Sequence, residues 1–140
     1  MAAAALVLSA CGGGSDEATA TAEPTSAASS VKVGLAYDVG GRGDGSFNDA
    51  AYAGLQRAEA ELGVEVKEVE AGADETDASR EERLRLLASE GYNPVIAVGY
   101  AYSAAVGAVA AEFPETTFAI VDSVVEGANV GSLVFAAEQG

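Results

Sequence analysis

Val31-Lys32-Val33-Gly34-Leu35-Ala36, then Gly40-Gly41-Arg42-Gly43-Asp44-Gly45, then a helical pattern from Asn48 to Leu62: this succession decides the fold. The first piece is a short apolar run rich in β-branched residues, which is the pattern of a strand. The glycines make a turn. Ala51, Leu55, Ala58 and Leu62 then recur on one helical face, while Arg57, Glu59 and Glu61 lie mostly away from it. Ser46, with Asp49 three residues later, reads as an acidic variant of the capping box, and Gly63 supplies the stop.

Downstream the cycle repeats. Val64 to Val69 alternates Val with charged residues, as a strand near a sheet edge does. A second helix is predicted from Asp77 to Glu90, with Leu84, Leu87 and Ala88 facing inward and Glu81 paired with Arg85 one turn on. Gly91 ends it. Pro94 to Val98 is continuously apolar, which suits a central strand buried on both faces. A third helix, Ser103 to Phe113, carries Val106, Val109, Ala110 and Phe113 inward, and Pro114 closes it. Thr116 to Val121 and Asn129 to Phe135 are further strand candidates. Strands alternating with helices in this way predict an α/β fold, a parallel sheet with helices on both faces. Ligands of such sheets bind beyond the carboxyl ends of the strands, here at Tyr37 to Asn48, Gly99 to Ser103, and Asp122 with Ser123.

The thirty residues before Val31 have a different character. Met1 to Ala10 is Ala-rich and apolar, too short for a membrane-spanning helix, which needs about 20 apolar residues. It reads as the hydrophobic part of a secretory signal without a basic leader, hence as a clipped one. Leu8-Ser9-Ala10-Cys11 resembles the bacterial lipobox, so residues 1–11 are expected to be a truncated lipoprotein signal with Cys11 as the lipidated residue; the plain alternative is a small buried thiol. Residues 12–30 are Gly, Ser, Ala, Thr, Pro and a few acids without apolar periodicity, which predicts a flexible linker.

Composition narrows the function. Seven Lys and Arg against 22 Asp and Glu leave a formal charge of −15 in 140 residues. Such a surface repels nucleic acid and highly charged phosphate ligands, and it does not suit a basic peripheral membrane binder. With no His, a Ser-His-Asp triad or a His-ligated zinc is excluded, and the single Cys excludes an internal disulfide. No metal and no cofactor is expected.

The loop from Asp38 to Asp49 follows the first strand and opens the first helix. Its glycines at 41, 43 and 45 miss the dinucleotide fingerprint because the last spacing is one residue short, and three nearby carboxylates would repel a pyrophosphate. Arg42-Gly43-Asp44 spells an adhesion tripeptide, which in a chain of this kind is expected to be coincidental. Phe47 has two open roles, covering the core or stacking on a planar ring. Asp38 and Asn48 offer hydrogen-bonding groups at the same rim.

Gly43-Asp44-Gly45-Ser46-Phe47-Asn48 followed by Ala51-Tyr52-Ala53-Gly54-Leu55 resembles the opening signature of the basic membrane protein (BMP/PnrA-like) family. Gly91 to Tyr100 resembles its second block, and Phe113-Pro114, Thr117 to Asp122 and Asn129-Val130 its third. These are substrate-binding lipoproteins of ABC transporters whose members bind purine nucleosides. The resemblance implies the first lobe of a type I periplasmic binding protein, with 31–140 as an incomplete N-terminal lobe and a second lobe absent from the sequence. It implies that Phe47 stacks on the base, that Asp38 with Asn48 beside it accepts from the base edge, and that Asp122 accepts from ribose hydroxyls. From position alone, Asp122 is equally a turn or cap aspartate. Gly45 stands where many relatives carry Lys, and Tyr100 and Tyr102 where relatives often have Phe or other apolar residues; the tyrosines line the cleft or pack at core or rim.

The expectation is therefore a non-enzymatic solute binder, lipid-anchored on the extracytoplasmic side of a bacterial cell membrane and serving an ABC permease. The alternatives are capture of another small polar solute, a sensor component on the same fold, and, more remotely, a nucleoside or sugar hydrolase using Asp38 and Asp44.

Overall fold

The computed structural model of the protein describes residues 31–136. Cys11, the signal and the linker lie outside the described residues. Five strands and three helices alternate: β1 (Lys32–Ala36), α1 (Phe47–Leu62), β2 (Glu65–Val69), α2 (Asp77–Ser89), β3 (Val95–Val98), α3 (Ser103–Glu112), β4 (Phe118–Val121) and β5 (Val130–Leu133), with one turn of 3-10 helix at Tyr100–Tyr102. The strands form one parallel sheet in the order β2-β1-β3-β4-β5. Its order reverses between β1 and β3: the chain first steps outward to β2, then crosses back to the other side of β1.

Helices cover both faces of the sheet. Leu84, Leu87 and Ala88 of α2, and Val106, Val109 and Ala110 of α3, pack with Ala36, Val95, Ala97, Phe118 and Ile120 into one core cluster. The three inward α2 positions are buried as their spacing predicts, and Arg85 reaches Glu81 at 2.8 Å. Gly34 is pressed against this layer: a Cβ there would lie 3.1 Å from both Leu87 methyl carbons and 3.2 Å from Tyr92 Cβ. On the opposite face Leu55 of α1 packs with Val33, Leu35, Tyr37, Val64 and Val98.

Three expectations are corrected. Leu62, assigned to the buried face of α1, is 65% exposed, because the last turn of the helix overhangs the sheet. Ile96 is only half-buried, because among the described residues α1 alone covers its side of the sheet and leaves an apolar trough over Ile96, Val121 and Leu133. The Ser46 hydroxyl does not cap α1; an aspartate does so instead, as described below. A capping box does form on α2, where Thr76 Oγ1 accepts from Ser79 N and Ser79 Oγ accepts from Thr76 N.

β2 is an outer strand, as its alternating charges predict. Lys32 Nζ reaches Glu65 at 2.9 Å and Lys67 pairs with Glu90, while both ammonium groups sit near the Tyr92 ring. No helix among the described residues is long and apolar enough to cross a membrane.

Truncating Leu87 to Ala is expected to cost about 2–5 kcal/mol, as for other fully buried leucines. Leu62→Ala should stay within about 0.5 kcal/mol, as for exposed positions. Urea unfolding of the two variants checks the assignment, and equal losses would overturn it.

Candidate functional site

A doubly wound sheet opens a crevice where its strand order reverses, because the loops leaving the two neighbouring strands run to opposite faces. Here that place is the fork beyond Ala36 and Ala97, the last paired residues of β1 and β3. Gly99 N–H continues the β3–β4 ladder to the Val121 carbonyl, while the Asp38 N–H, the next β1 amide on the β3 side, is taken by Asn48 Oδ1 at 3.2 Å. The Tyr37 N–H still reaches Val69 on β2, but its carbonyl is served by a side chain, the hydroxyl of Tyr102 at 3.0 Å.

Tyr102 is fully buried and belongs to a chain of polar contacts. Arg83 donates to its oxygen from Nε at 3.0 Å and from Nη2 at 2.8 Å, and also pairs with Glu75. Glu75 accepts in addition from Ser79 Oγ at 2.8 Å and from Gly72 N at 3.0 Å. Burial pushes the Tyr102 phenol pKa up, the Arg83 contacts opposing it only in part, so the proton that serves Tyr37 is retained. Burial alone would raise the Glu75 carboxyl, but hydrogen bonds from Arg83, Ser79 and Gly72 outweigh it and hold the group below its ordinary value.

Asp38 follows directly at the mouth of the fork and is half-buried. Its Oδ1 accepts from Val39 N at 2.8 Å. Its Oδ2 lies so close to Gly99 that a Cβ there would stand 2.6 Å away, and Gly99 has φ +94. Glycine at 99 is thus required twice, by backbone angle and by the approach of the carboxylate. Asn48 is buried, with Oδ1 accepting from Asp38 N at 3.2 Å and Nδ2 lying 3.4 Å from Asp38 O. Its amide is occupied in tying the start of α1 to the end of β1.

The β1–α1 loop is held by carboxylates bonded to backbone amides. Asp44 accepts from Ser46 N at 2.8 Å, Asn48 N at 3.1 Å and Asp49 N at 3.1 Å. Asp49 accepts in turn from Gly43 N at 2.7 Å and Gly45 N at 2.9 Å. A carboxylate satisfies more of the free amides at a helix start than one hydroxyl can and complements the helix dipole, which is why Asp44 displaces Ser46 as the cap. Partial desolvation raises the Asp44 pKa, yet the three backbone donors prevail and leave it below its ordinary 3.8. That is the reverse of what a catalytic acid needs, so Asp44 is unsuited to the acid role in the hydrolase alternative. The Arg42-Gly43-Asp44 tripeptide is likewise engaged internally, since Arg42 stacks 4.7 Å from the Tyr52 ring centre and faces Glu68 and Glu70.

Phe47 is the first residue of α1, is 41% exposed and belongs to neither core cluster. It lines a mostly apolar cavity of about 560 Å³ with Ala50, Val121, Leu133, Val134 and Phe135, and its ring stands 5.6 Å from that of Phe135. Asp38 is not in the lining of this cavity. The structure thus joins Asp38 to Asn48, while the Phe47 ring lies at the same loop-bearing edge of the sheet. Asp122, just past β4, is exposed with φ 65, a left-handed conformation uncommon outside glycine. Ser103 and Ser123 share a hydrogen bond of 2.8 Å that ties the β3 and β4 exits together. Tyr100 is 71% exposed, whereas Tyr102 is in the core. Arg83, Glu75 and Gly99 were not singled out from the sequence; only the glycine directly after an apolar strand was a usable signal. Among the described residues no cluster of three or more His, Cys, Asp or Glu is placed to hold a metal ion.

A five-stranded doubly wound lobe with its polar and aromatic groups at the strand exits is the architecture of a solute-binding domain. Residues 31–140 match the family model for PnrA-like ABC transporter substrate-binding proteins, and the chain belongs to that family. Among solved structures it resembles an ABC transporter solute-binding protein of Aeropyrum pernix K1, with 35% identity and TM-score 0.67 over 75% of this chain and 28% of that one. It also resembles a solute-binding protein of Conexibacter woesei, with 28% identity and TM-score 0.60 over 73% of this chain and 34% of that one. An uncharacterized lipoprotein of Pyrococcus furiosus is 42% identical over 97 residues, which are 66% of this chain and 23% of that protein. The chain thus spans about a quarter of the length of the curated Pyrococcus relatives it matches.

Replacing Asp44 by Asn is expected to destabilise the protein near neutral pH, with a difference that shrinks in acid. Because the folded pKa lies below the ordinary value, the stabilisation is complete above 3.8 and is lost as the pH falls through the folded value. Denaturation midpoints of both proteins across the acid range test this, and a difference independent of pH would refute the carboxylate cap.

Proposed function

We propose that this lobe forms one jaw of an extracytoplasmic solute-binding lipoprotein that delivers a purine nucleoside, or a similar neutral ring-bearing solute, to an ABC importer. The observation that carries the reading is Phe47: an aromatic ring at the first position of α1, outside both core clusters, with an open face at the strand-exit edge of the sheet. A planar solute that covered that face would stack on it as well as on the neighbouring Phe135 side of the cavity.

In this reading Phe47 stacks on one face of the base. Asp38, kept in place by its own backbone bonds and by the absence of a side chain at Gly99, accepts from ring N–H groups. Asn48 contributes by holding the Asp38 backbone. Asp122 accepts from ribose hydroxyls, its left-handed backbone turning the residue outward from β4. No cation stands close to Asp38 or Asp122 in any ion pair among the described residues, and the −15 formal charge disfavours phosphorylated ligands, so the free nucleoside is preferred over the nucleotide. A second lobe supplies the opposite wall, because closure between two jaws is how such proteins bury a ligand. Cys11 carries the lipid and residues 12–30 form the tether, consistent with the lipoprotein described in Pyrococcus furiosus.

Isothermal titration of the complete protein with adenosine, guanosine and inosine is expected to show binding of at least one. Phe47→Ala should weaken it by about 1–3 kcal/mol, the contribution of one aromatic–base stack. No heat with any of the three, from folded protein, removes the nucleoside; unchanged affinity in Phe47→Ala removes the stacking role.

A further inference from the structure

We infer that Tyr102 is a positioning residue for the solute cleft: its hydroxyl, fixed by Arg83 and Glu75, takes the place of a missing ladder hydrogen bond at the exit of β1 and so sets where Asp38 stands. This rests on the reading of the strand-exit edge as the solute cleft.

Three observations converge on it. First, the Tyr37 N–H bonds to Val69 on β2, its carbonyl faces the same strand, and β2 ends its pairing at Val69. The Tyr37 carbonyl therefore loses its strand partner one residue before Asp38. A buried carbonyl without a donor is costly, and here the donor is a side chain from the turn after β3. Secondly, that side chain is not free to turn. Two nitrogens of Arg83 hold its oxygen, and Arg83 is held by Glu75, whose carboxylate also gathers Ser79 Oγ and the Gly72 amide. The Arg83 and Glu75 side chains are 14% and 4% exposed. One buried network thus spans the exit of β1, the β2–α2 loop, the flank of α2 and the turn after β3. Each contact satisfies a group that the next would otherwise leave unpaired, which favours a single arrangement. Thirdly, the neighbour of Tyr37 has almost no clearance, because the Asp38 carboxylate rests against the only residue type that Gly99 can be. A small shift of the Tyr37 carbonyl would press that carboxylate into the β3 exit or lift it away.

The hydroxyl sits behind the cleft, fully buried, and touches no solute. Phe at this position would fill the same space and leave both the Tyr37 carbonyl and the Arg83 guanidinium short of a partner.

The test uses the complete lipoprotein carrying Tyr102→Phe, with Val109→Ala as a control that removes buried apolar volume on α3 without touching the network. Arg83→Lys provides a second network variant should Tyr102→Phe fail to fold. Two readouts are taken well below the unfolding temperature: the Kd for adenosine, guanosine and inosine, and hydrogen exchange at the Asp38 and Gly41 amides, which needs no ligand. The expected result is a Kd raised about tenfold or more in the network variant, with faster exchange at those two amides and neither change in Val109→Ala. If the network variant loses stability but keeps wild-type Kd and wild-type exchange, Tyr102 is merely structural and the inference fails. If no nucleoside binds the wild type, the functional reading above fails by itself. Faster Asp38 and Gly41 exchange in the network variant then still supports the positioning role, and unchanged exchange overturns it.

Discussion

Two parallel strands that have been exchanging backbone hydrogen bonds must stop doing so for a crevice to exist between them, and whatever they stop sharing has to be satisfied elsewhere. In this lobe the exit of β1 is managed by two local substitutions. The Asp38 amide on the β3 side is taken by Asn48, and the Tyr37 carbonyl, facing β2 past its last paired residue, receives a phenolic hydroxyl. The rest of the site follows. Asp38 emerges at the mouth of the fork, its amide is taken by Asn48, and Asn48 in turn belongs to the first turn of α1, whose start is pinned by Asp44. The aromatic that opens α1 is therefore placed by the same set of bonds that places the carboxylate, although Asp38 does not line the cavity that Phe47 faces.

The arrangement also explains why so acidic a loop is stable. Asp44 and Asp49 lie within one short segment and would repel each other were they not each surrounded by amide donors. Glycines at 43 and 45 present those amides without side chains in the way, so the loop's charge is spent on its own backbone. This leaves little of it to attract a cation or to act as an acid, and it turns a stretch that looks chemically rich in the sequence into scaffolding around Asp38 and Phe47.

Much of the fold was legible. The alternation of apolar runs with helical patterns identified all eight regular elements, and the charged alternation of Val64 to Val69 placed β2 at an edge. Periodicity reads neighbours along one element well, as Leu84, Leu87 and Ala88 show. It reads less well where burial depends on what another element covers, so Leu62 and Ile96 were assigned more cover than they have. The site divides similarly. Asp38, Phe47, Asn48 and Asp122 could be named because they lie at strand exits in a recognisable signature. Which of them line the apolar cavity could not, since that depends on side-chain directions across the sheet. Arg83 and Glu75 were invisible for a further reason: on a charged helix and its leading loop they look like surface residues, and only the tertiary position of Tyr102 draws them inward.

The charged outer strand β2 has a consequence beyond the crevice. An open sheet edge offers unpaired amides and carbonyls to any extended chain that drifts against it. Here that approach meets Lys67 and its Glu90 partner, Glu65 bridged to Lys32, and Glu68 bound to Tyr37 and near Arg42. A second polypeptide would have to strip water from these ion pairs before it could add a strand, so the β2 margin of the sheet resists fibril-like addition while the apolar trough is still exposed.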